Sequence, residues 1–383
     1  MARSIRILTV IGARPQIIKA AALSRAVQRV SGLVQVLLDT GQHYDENMAG
    51  AFYDELGIPR ADISLNVGSA GHGEQTARML EGVERAVIEH RPDALLVFGD
   101  TNSTLAGSLA AAKLNVPLAH VEAGLRSFDR RMPEEVNRIV SDHCSTWLFC
   151  PTDTAVKNLL HEGFDTAWSG KADAYKPAVA NVGDVMFDNH LHFSAIARQR
   201  SSILSDLGLR PGAFALVTVH RAGNTDDPDR LNAIFRSILE MTERHGLDVV
   251  LPLHPRSRNR MDALLRDGIR DGIRRSARIR IVPPAGLFDM IALEESARII
   301  LTDSGGVQKE AYFCGTPCVI LRSTTEWSEL LDSGASMLAD ADPVRIASCV
   351  ERFLAHGMPA CPPVFGNGAA AMAVCLRLMR DLE

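Results

Sequence analysis

Two glycines at a strand-to-helix turn are the residues of this chain with the clearest chemical use. The apolar run at 299–301 predicts a buried parallel strand, which ends in Asp303 and Ser304 and continues through Gly305 and Gly306 into a helix. Glycines at such a turn let a ligand approach the backbone closely. The unpaired N–H groups and the positive dipole end of the helix favour an anion there.

Glu310 lies one turn further along the predicted helix, on the same face as Gly306. A carboxylate at that position suits sugar hydroxyls better than phosphate. The stretch therefore predicts a nucleotide diphosphate site with a ribose ligand. The alternative is an ordinary strand–turn–helix in which Ser304 caps the helix and nothing binds.

Three acids follow other predicted strands or open a helix. Asp100 ends the segment ALLVFGD, Glu122 follows PLAHV, and Glu134 comes directly after Pro133 at a predicted helix start. A carboxylate after a buried strand needs partners, and acids with perturbed environments cluster at functional sites. The alternatives are that Asp100 caps a helix and that the helix dipole alone favours Glu134.

Cationic side chains also stand at strand ends. Arg14 and Lys19 follow the first strand, and His220 ends FALVTVH. Arginine and lysine there could hold a diphosphate or stabilise one as it leaves, and histidine could contact phosphate or deliver a proton. The alternatives are a solvated arginine, a lysine lying along apolar surface, and a buried, hydrogen-bonded histidine.

Strand-like runs alternate with helical stretches in both halves of the chain, which predicts βαβ units and parallel sheets. In the first half the runs begin at Ile5–Ile11, and a second set begins at 214. Expected helices lie at 16–30, near 47–56, at 102–113, at 133–144 and at about 368–382. The last is expected to pack back onto the first half.

At 383 residues, the chain is longer than one hydrophobic core usually supports. We expect an α/β protein with two Rossmann-like, doubly wound domains facing a cleft, where the carboxyl ends of the strands bind ligands. The first domain is expected at 1–175, completed by a C-terminal helix at about 366–383. The second, nucleotide-binding domain is expected at 176–365, and 166–184 is interpreted as the linker region.

Composition narrows the functional class. A net charge of −5 gives no support to a basic surface that binds nucleic acid. No apolar run approaches the ~20 residues that span a membrane. The seven cysteines are scattered, which favours reduced, buried thiols in a cytosolic protein. We find no metal-ligand spacing, no G-x-S-x-G and no G-x-G-x-x-G after the first strand.

Eight ordered motifs resemble the non-hydrolysing UDP-N-acetylglucosamine 2-epimerases and their relatives acting on UDP-2,3-diacetamido-glucuronic acid. The resemblance covers nearly the whole chain. The motifs are GARPQIIK, TGQHYDENM, FGDTNSTLAG, HVEAGLRS, RMPEEVNR, VTVHR, LPLHPR and TDSGGVQKEA. One departure is Gln16, where the family commonly has glutamate.

The resemblance implies a glycosyltransferase-B-like fold and epimerisation at carbon 2 of a UDP-sugar without metal or cofactor. UDP would leave by anti elimination and add back after reprotonation on the other face. The implied acid–base groups are Asp100, Glu122 and Glu134, with no assignment of the base among them. Arg14, Lys19 and His220 match residues around the diphosphate, Ser304, Gly305 and Gly306 match its backbone cradle, and Glu310 matches the ribose ligand.

The sugar itself has two candidates. UDP-N-acetylglucosamine is the leading one, and the diacetamido-uronate is the alternative because Arg130 and Arg131 could bind a carboxylate at carbon 6. A hydrolysing epimerase, a glycosyltransferase and a silent UDP-sugar sensor are further alternatives. The resemblance implies a homodimer. From the cysteines, the charge and the lack of a long apolar run, we expect it to be cytoplasmic and to bind neither nucleic acid nor membrane.

Overall fold

The computed structural model describes residues 4–42, 57, 60–167 and 170–383. The chain forms two compact units, which we call unit N (1–189 with 363–383) and unit C (190–362). The helix expected near 47–56 lies outside the described residues. The domain division expected from the sequence, with boundaries at 175/176 and 365/366, stays a prediction about functional domains.

Unit N is built on a parallel sheet with the strand order β3-β2-β1-β4-β5-β6-β7. Its described strands are β1 Ile5–Ile11, β2 Leu33–Asp39, β3 Ile63–Ser64, β4 Ala94–Phe98, β5 Leu118–Val121, β6 Trp147–Cys150 and β7 Ala178–Asn181. Its described helices are α1 Arg14–Val27, α2 His72–His90, α3 Asn102–Leu114, α4 Pro133–Cys144, α5 Asp153–His161, the first part of α6 Val185–Arg200 and the final helix of the chain at Ala370–Leu382.

Unit C repeats the same winding with the order β10-β9-β8-β11-β12-β13. Its strands are β8 Phe214–Thr218, β9 Asp248–Pro252, β10 Ile279–Val282, β11 Ile299–Thr302, β12 Cys318–Ile320 and β13 Ser336–Leu338. After the rest of α6, its helices are α7 Ile203–Asp206, α8 Ala222–Thr225, α9 Pro228–His245, α10 Pro255–Leu264, α11 Asp267–Arg275, α12 Leu287–Ser296, α13 Gly305–Cys314, α14 Ser328–Asp332 and α15 Pro343–His356. The final helix of the chain, Ala370–Leu382, is α16.

The central strands of both sheets are apolar and buried, as expected for parallel sheets covered by helices on both faces. β4 and β8 are buried at every position. In each sheet the strand order reverses direction once, between β1 and β4 in unit N and between β8 and β11 in unit C. Doubly wound sheets bind ligands at the carboxyl ends of the strands beside such a reversal. The α/β prediction of two doubly wound units is confirmed.

Several expected elements are found where the sequence placed them. The first strand is Ile5–Ile11, the helix opened by Pro133 ends at Cys144, and α16 packs against α1. The interpretation of 166–184 as linker is wrong in part, because β7 pairs with β6 and completes the sheet of unit N. Its short Ala-Val-Ala-Asn sequence, with one β-branched residue, is a weak strand signal. The amphipathic helix α2 was not expected at all.

All seven cysteines are free, but the expectation that they are buried is wrong for Cys144, Cys314 and Cys361, which are partly exposed. Across the described residues, no helix is long and apolar enough to cross a membrane. In the same part of the chain, no group of three or more His, Cys, Asp or Glu side chains is arranged to hold a metal ion.

Candidate active site

In unit N, the side chains of Lys19 and Glu122 form an ion pair at the carboxyl ends of the central strands. Lys19 comes from α1 and Glu122 directly follows β5. Both side chains are nearly buried, at 11% and 10% exposure. The lysine is therefore neither a solvated charge nor simply packed along apolar surface, because its ammonium group lies against a carboxylate.

The backbone at Glu122 is strained, which fixes the direction of its side chain. Glu122 has a φ of 72°, in the left-handed region that non-glycine residues seldom adopt. The N–H groups of Glu122 and Ala123 both donate to the carbonyl of Phe149, at 3.0 and 3.1 Å, so two residues of one strand face a single acceptor. Such bulges re-aim side chains, and strain of this kind concentrates at functional sites.

Gly99 leaves room for the ion pair. It has a φ of 61°, and a Cβ there would lie 3.2 Å from Glu122 Oε2 and 3.3 Å from Lys19 Nζ. Any other residue would be strained and would crowd both charged groups.

Asp100 forms a second ion pair, with Arg138 of α4. Arg138 also binds Glu135 at 2.8 Å, and Asn137 donates to the backbone carbonyl of Asp100 at 2.9 Å. Burial lowers the pKa of Arg138, but the carboxylates of Asp100, Glu135 and Glu122 outweigh that effect and raise it overall. The arginine therefore stays charged and electrostatically links the two predicted acid–base carboxylates.

A buried histidine holds the turn that carries Asp100. His120 of β5 is fully buried, with Nδ1 2.7 Å from Asp142 Oδ1 and Nε2 2.7 Å from the carbonyl oxygen of Gly99. These two contacts fix the orientation of the ring. Burial raises the pKa of Asp142, but His120 and Arg126 outweigh it and hold that pKa below its ordinary value.

Glu134 and its neighbour Glu135 differ sharply. Glu134 is exposed in the first turn of α4, and among the described residues it makes no hydrogen bond or ion pair through its side chain. Glu135 is 1% exposed and accepts from the backbone N–H groups of Ser127 and Phe128, both at 2.9 Å. The structure does not bring Glu134 into contact with Asp100 or Glu122, while Glu135 anchors the loop before the helix.

That loop presents an aromatic ring and two arginines to solvent. Phe128 has a φ of 58° and is 80% exposed. Arg131 is held by Asp129 through two hydrogen bonds of 2.8 Å. Arg130 is exposed and forms no ion pair within the described residues. The two candidate carboxylate ligands are therefore not equivalent, because only Arg130 has its guanidinium group uncommitted.

Gln16, where the family commonly has glutamate, uses its amide group to hold two strand ends together. It is 1% exposed and donates to the carbonyl of Phe98 at 2.9 Å and to Thr104 Oγ1 at 3.0 Å, while accepting from the N–H of Ala13 at 3.1 Å. A carboxylate could not donate to the Phe98 carbonyl. The amide thereby ties the turn after β1, which carries the exposed Arg14, to the end of β4.

In unit C, His220 follows β8 and lies against a buried aspartate. Asp303, at the end of β11, is fully buried and lies 3.1 Å from His220 Nδ1. It also accepts from the backbone N–H groups of His220 and Arg221 and from Asn224 Nδ2. Burial raises the pKa of Asp303, but these contacts, led by His220, lower it overall. The carboxylate therefore orients the ring and leaves Nε2 for a ligand.

A pocket of about 200 Å³ lies at the same end of the unit C sheet and is lined by His220, His254, Pro284, Ser304 and Val307, among others. Ser304 caps α13 by accepting from the N–H of Val307 at 3.4 Å. A Cβ on Gly305 would lie 2.3 Å from Glu326 Oε1, whereas Gly306 has no neighbour closer than 3.8 Å. The capping alternative is thus present, and it leaves the open backbone at Gly306 beside the pocket.

Glu310 lies on α13, which packs against α12, the helix that carries Glu294. Glu294 is 1% exposed, and burial together with the nearby charge of Glu310 raises its pKa well above the ordinary value. Sequence reasoning did not single out Glu294.

The family model described as UDP-N-acetylglucosamine 2-epimerase matches residues 25–378.

The chain belongs to the UDP-N-acetylglucosamine 2-epimerase family.

Three relatives illustrate the match. The UDP-2,3-diacetamido-2,3-dideoxy-D-glucuronate 2-epimerase of Pseudomonas aeruginosa is 43% identical over 369 residues, which cover 96% of this chain and 98% of that protein. The UDP-N-acetylglucosamine 2-epimerase of Methanococcus maripaludis is 38% identical over 347 residues, which cover 90% of each. The crystal structure of Methanocaldococcus jannaschii UDP-GlcNAc 2-epimerase in complex with UDP-GlcNAc and UDP superposes with a TM-score of 0.84 at 36% identity, covering 98% of this chain and 100% of that one.

Membership of this epimerase family confirms the resemblance drawn from the motifs and the assignment to a family of isomerases. What the motifs did not reveal are the partners of the expected residues. Arg138, Asp142 and Asp303 sit in motifs or helices without any local signal of their role. Each reaches its partner across many residues of sequence, and only the sheet order brings them together.

Proposed function

We propose that the protein is a non-hydrolysing UDP-sugar 2-epimerase that interconverts UDP-N-acetylglucosamine and UDP-N-acetylmannosamine. The observation that carries the proposal is the pair of carboxylates in unit N, Glu122 and Asp100. Each is held beside a buried cation, after the neighbouring strands β5 and β4. Family membership supplies the reaction class, and these groups supply the means of moving a proton.

Glu122 is the group we propose for the first proton transfer. Lys19 and Arg138 both favour its ionised form, and a desolvated carboxylate is suited to act as a base. It would take the proton from carbon 2. The electron pair then forms the double bond between carbons 1 and 2, and UDP leaves with the electrons of its bond to carbon 1.

The reverse sequence completes the epimerisation. Asp100 or Glu134 returns a proton to the opposite face of carbon 2, and UDP adds back at carbon 1. No other reactant is consumed, so the step balances without a cofactor or metal. Lys19 and Arg14 of unit N are proposed to stabilise the departing diphosphate.

Unit C is proposed to bind UDP. The support is the pocket that His220 and Ser304 line, the open backbone at Gly306 and the helix N-terminus of α13, which together favour an anion. His220, oriented by Asp303, would donate to a phosphate oxygen through Nε2. Glu310 would accept from the ribose hydroxyls.

The test is incubation with UDP-N-acetylglucosamine in deuterated water. Deuterium at carbon 2 with UDP still attached is the expected result. Free UDP with free sugar would instead indicate a hydrolysing epimerase, and UDP released only with an acceptor would indicate a glycosyltransferase. Activity is expected to survive EDTA, and a loss that magnesium reverses would contradict the metal-free mechanism.

The diacetamido-uronate is the second candidate substrate, favoured by a specific observation. Arg130 is exposed and unpaired among the described residues, on the loop anchored by Glu135 next to Arg138 and Asp100. A guanidinium group there could bind the carboxylate at carbon 6 that this sugar carries and N-acetylglucosamine lacks. Parallel kinetics on both UDP-sugars distinguish the two.

The assembly and location are part of the same proposal. We expect a homodimer, as the resemblance implies, located in the cytoplasm, as the unpaired cysteines favour. Light scattering on the purified protein measures the mass in solution, and a monomer at working concentration would contradict the expected dimer.

A further inference from the structure

His72 is an exposed histidine that a buried chain of amide groups holds in place. It is the first residue of α2, and its Nδ1 lies 3.2 Å from Nδ2 of Asn102, the first residue of α3. Asn102 comes two residues after Asp100. Each of these helices follows a strand of the parallel sheet and begins at its carboxyl edge. His72 therefore lies on the same edge of unit N as the proposed acid–base groups.

The chain of amides has a fixed direction, because both of its ends are backbone carbonyls. Gln75 Nε2 donates to the carbonyl of Gly68 at 2.8 Å, which leaves Gln75 Oε1 to accept from Asn102 Nδ2 at 2.8 Å. At the other end, Asn137 Nδ2 donates to the carbonyl of Asp100 at 2.9 Å and to Asn102 Oδ1 at 3.3 Å. All three amide side chains are buried. A carbonyl oxygen only accepts, so none of the amides can be reversed without setting oxygen against oxygen.

The direction of the chain settles which nitrogen of His72 carries the ring proton. Asn102 Nδ2 donates one hydrogen to Gln75 and has a second for His72 Nδ1, which therefore accepts. An imidazole that accepts at Nδ1 carries its proton on Nε2. Within the described residues, Nε2 makes no hydrogen bond, and the ring is exposed. The amide chain thus fixes an N–H donor at the edge of unit N.

His72 and His220 are held by different groups, which suit them to different ligands. Asp303 lies beside His220, and a carboxylate beside an imidazole favours a positive ring, which suits phosphate. The group beside His72 is an amide N–H, and this contact requires Nδ1 to be unprotonated. The Nε2–H of His72 is therefore suited to an uncharged oxygen acceptor, such as a hydroxyl or an amide carbonyl.

We propose that His72 is a further substrate-binding residue, whose Nε2–H donates a hydrogen bond to an uncharged oxygen of the sugar. This rests on the proposed function, in which Asp100 is a candidate to return the proton to carbon 2 of that sugar. The acetamido carbonyl and the hydroxyl groups of a UDP-N-acetylhexosamine are acceptors of this chemistry. The chain of amides ties the donor to the backbone of Asp100, so the sugar is held by a group in a fixed relation to that acid.

The experiment combines steady-state kinetics, on whichever of the two candidate UDP-sugars the native chain turns over, with calorimetry on UDP. His72→Leu should raise the KM for the UDP-sugar by roughly three- to tenfold, the effect of losing one uncharged hydrogen bond. Turnover at saturating substrate should change less than KM, and the affinity for UDP alone should not change. His90→Leu, at the other end of α2, is the matched control and should behave as the native chain does.

Two further substitutions separate sugar binding from support of the fold. The amide nitrogen of glutamine can take the place of Nε2, whereas that of asparagine reaches only the place of Nδ1. If the donor serves the sugar, His72→Gln should keep a KM closer to the native value than His72→Asn does. If the histidine only supports Asn102, the order of the two variants is reversed. Melting temperatures are measured in parallel.

A native KM in His72→Leu, or the reversed order of His72→Gln and His72→Asn, overturns the inference and leaves the proposed function intact. An equal loss of affinity for UDP and for the UDP-sugar also overturns it, because the contact would then not be with the sugar. If His72→Leu does not fold, the comparison of the other two variants decides. A native chain that exchanges no deuterium at carbon 2 of either candidate sugar overturns the proposed function and this assignment with it.

Discussion

At Glu122, three independent features of one residue point to proton transfer. The side chain is nearly buried, it is paired with Lys19, and its backbone is held in the left-handed region by a bulge against Phe149. Burial alone would favour the neutral acid, whereas the ammonium group favours the carboxylate. The structure therefore combines desolvation with ionisation, which is what a base for a weakly acidic carbon needs.

We predict that Glu122→Gln lowers the turnover rate by roughly 10²–10⁴, the usual contribution of a general base, while UDP still binds. Asp100→Asn should behave similarly. Deuterium incorporation and UDP calorimetry measure the two effects separately. Melting temperatures must be compared, because Lys19 loses its partner in the variant. Near-native turnover of Glu122→Gln would remove this residue from the mechanism.

Glu134→Gln addresses an acid whose role the sequence implied but whose contacts are missing from the described residues. If Glu134 returns the proton, this variant should lose rate to the same extent as Asp100→Asn. A native rate in Glu134→Gln, together with an inactive Asp100→Asn, would assign the proton return to Asp100.

Arg130 and Arg131 offer a matched pair for testing substrate choice. Asp129 holds Arg131 through two hydrogen bonds, whereas Arg130 is unpaired in the described part of the chain. If the uronate is the substrate, Arg130→Ala should raise the KM for the uronate by about tenfold or more, the range of one charge-assisted hydrogen bond. Arg131→Ala should leave that KM nearly unchanged. Steady-state kinetics on both UDP-sugars provide the measurement. Efficient turnover of UDP-N-acetylglucosamine, equal in all three proteins, would exclude a carboxylate-binding role for Arg130.

At the scale of the elements, the turn between β1 and α1 leaves no room for a side chain at Gly12. Gly12 lies where β1 meets α1, and a Cβ there would lie 2.0 Å from Thr40 Oγ1 and 2.3 Å from Ser103 Oγ. Those two hydroxyls hydrogen-bond each other at 2.8 Å. The turn that carries Arg14 is therefore packed against the ends of β2 and α3, with no space for a side chain.

Gly12→Ala should destabilise the fold by about 1–3 kcal/mol, the usual cost of overpacking, and lower activity by moving Arg14. Gly73→Ala is the matched control. Gly73 also lies near a helix start, but its added Cβ would meet nothing within 4 Å. That substitution should be neutral or stabilise by about 0.4–1 kcal/mol. Chemical denaturation of the two variants measures both; equal stabilities would contradict the packing argument.

Element by element, sequence reasoning succeeded where the local signal was strong. The apolar strands and the helix opened by Pro133 could be predicted because burial and proline geometry act over a few residues. β7 could not, since its Ala-Val-Ala-Asn run becomes a strand only through pairing with β6. The partners of the site residues could not be predicted for the same reason. Which residues pair depends on which strands are neighbours, as in Lys19–Glu122, Arg138–Asp100 and His220–Asp303.

On the scale of the whole molecule, each unit buries an aspartate that is held by a histidine and a second donor. In unit N, Asp142 is buried and accepts from His120 and Arg126. In unit C, Asp303 is buried and accepts from His220 and Asn224. Each aspartate has a lowered pKa because its hydrogen-bond donors outweigh the effect of burial. Each therefore couples the stability of its unit to pH.

The sign of that coupling follows from the lowered pKa values. A carboxylate whose pKa is lower in the folded state contributes its stability above its unfolded pKa, near 3.9 for aspartate, and loses it as pH falls through the folded value. Both units are therefore expected to lose stability below about pH 4. Near neutral pH, the stabilising contribution of these two carboxylates should not vary with pH. Thermal unfolding followed from pH 7 to pH 3 measures the effect.

Asp142→Asn and Asp303→Asn separate the contributions of the two units. Each variant should be destabilised at neutral pH, by about 3–5 kcal/mol for Asp142, because Arg126 and His120 lose a buried partner. Each should also show a shallower loss of stability on acidification than the native chain, since the titrating group is gone. The two substitutions lie in different units, so their effects should add when combined. Acid profiles of both variants parallel to the native one would show that other carboxylates control the acid unfolding of this protein.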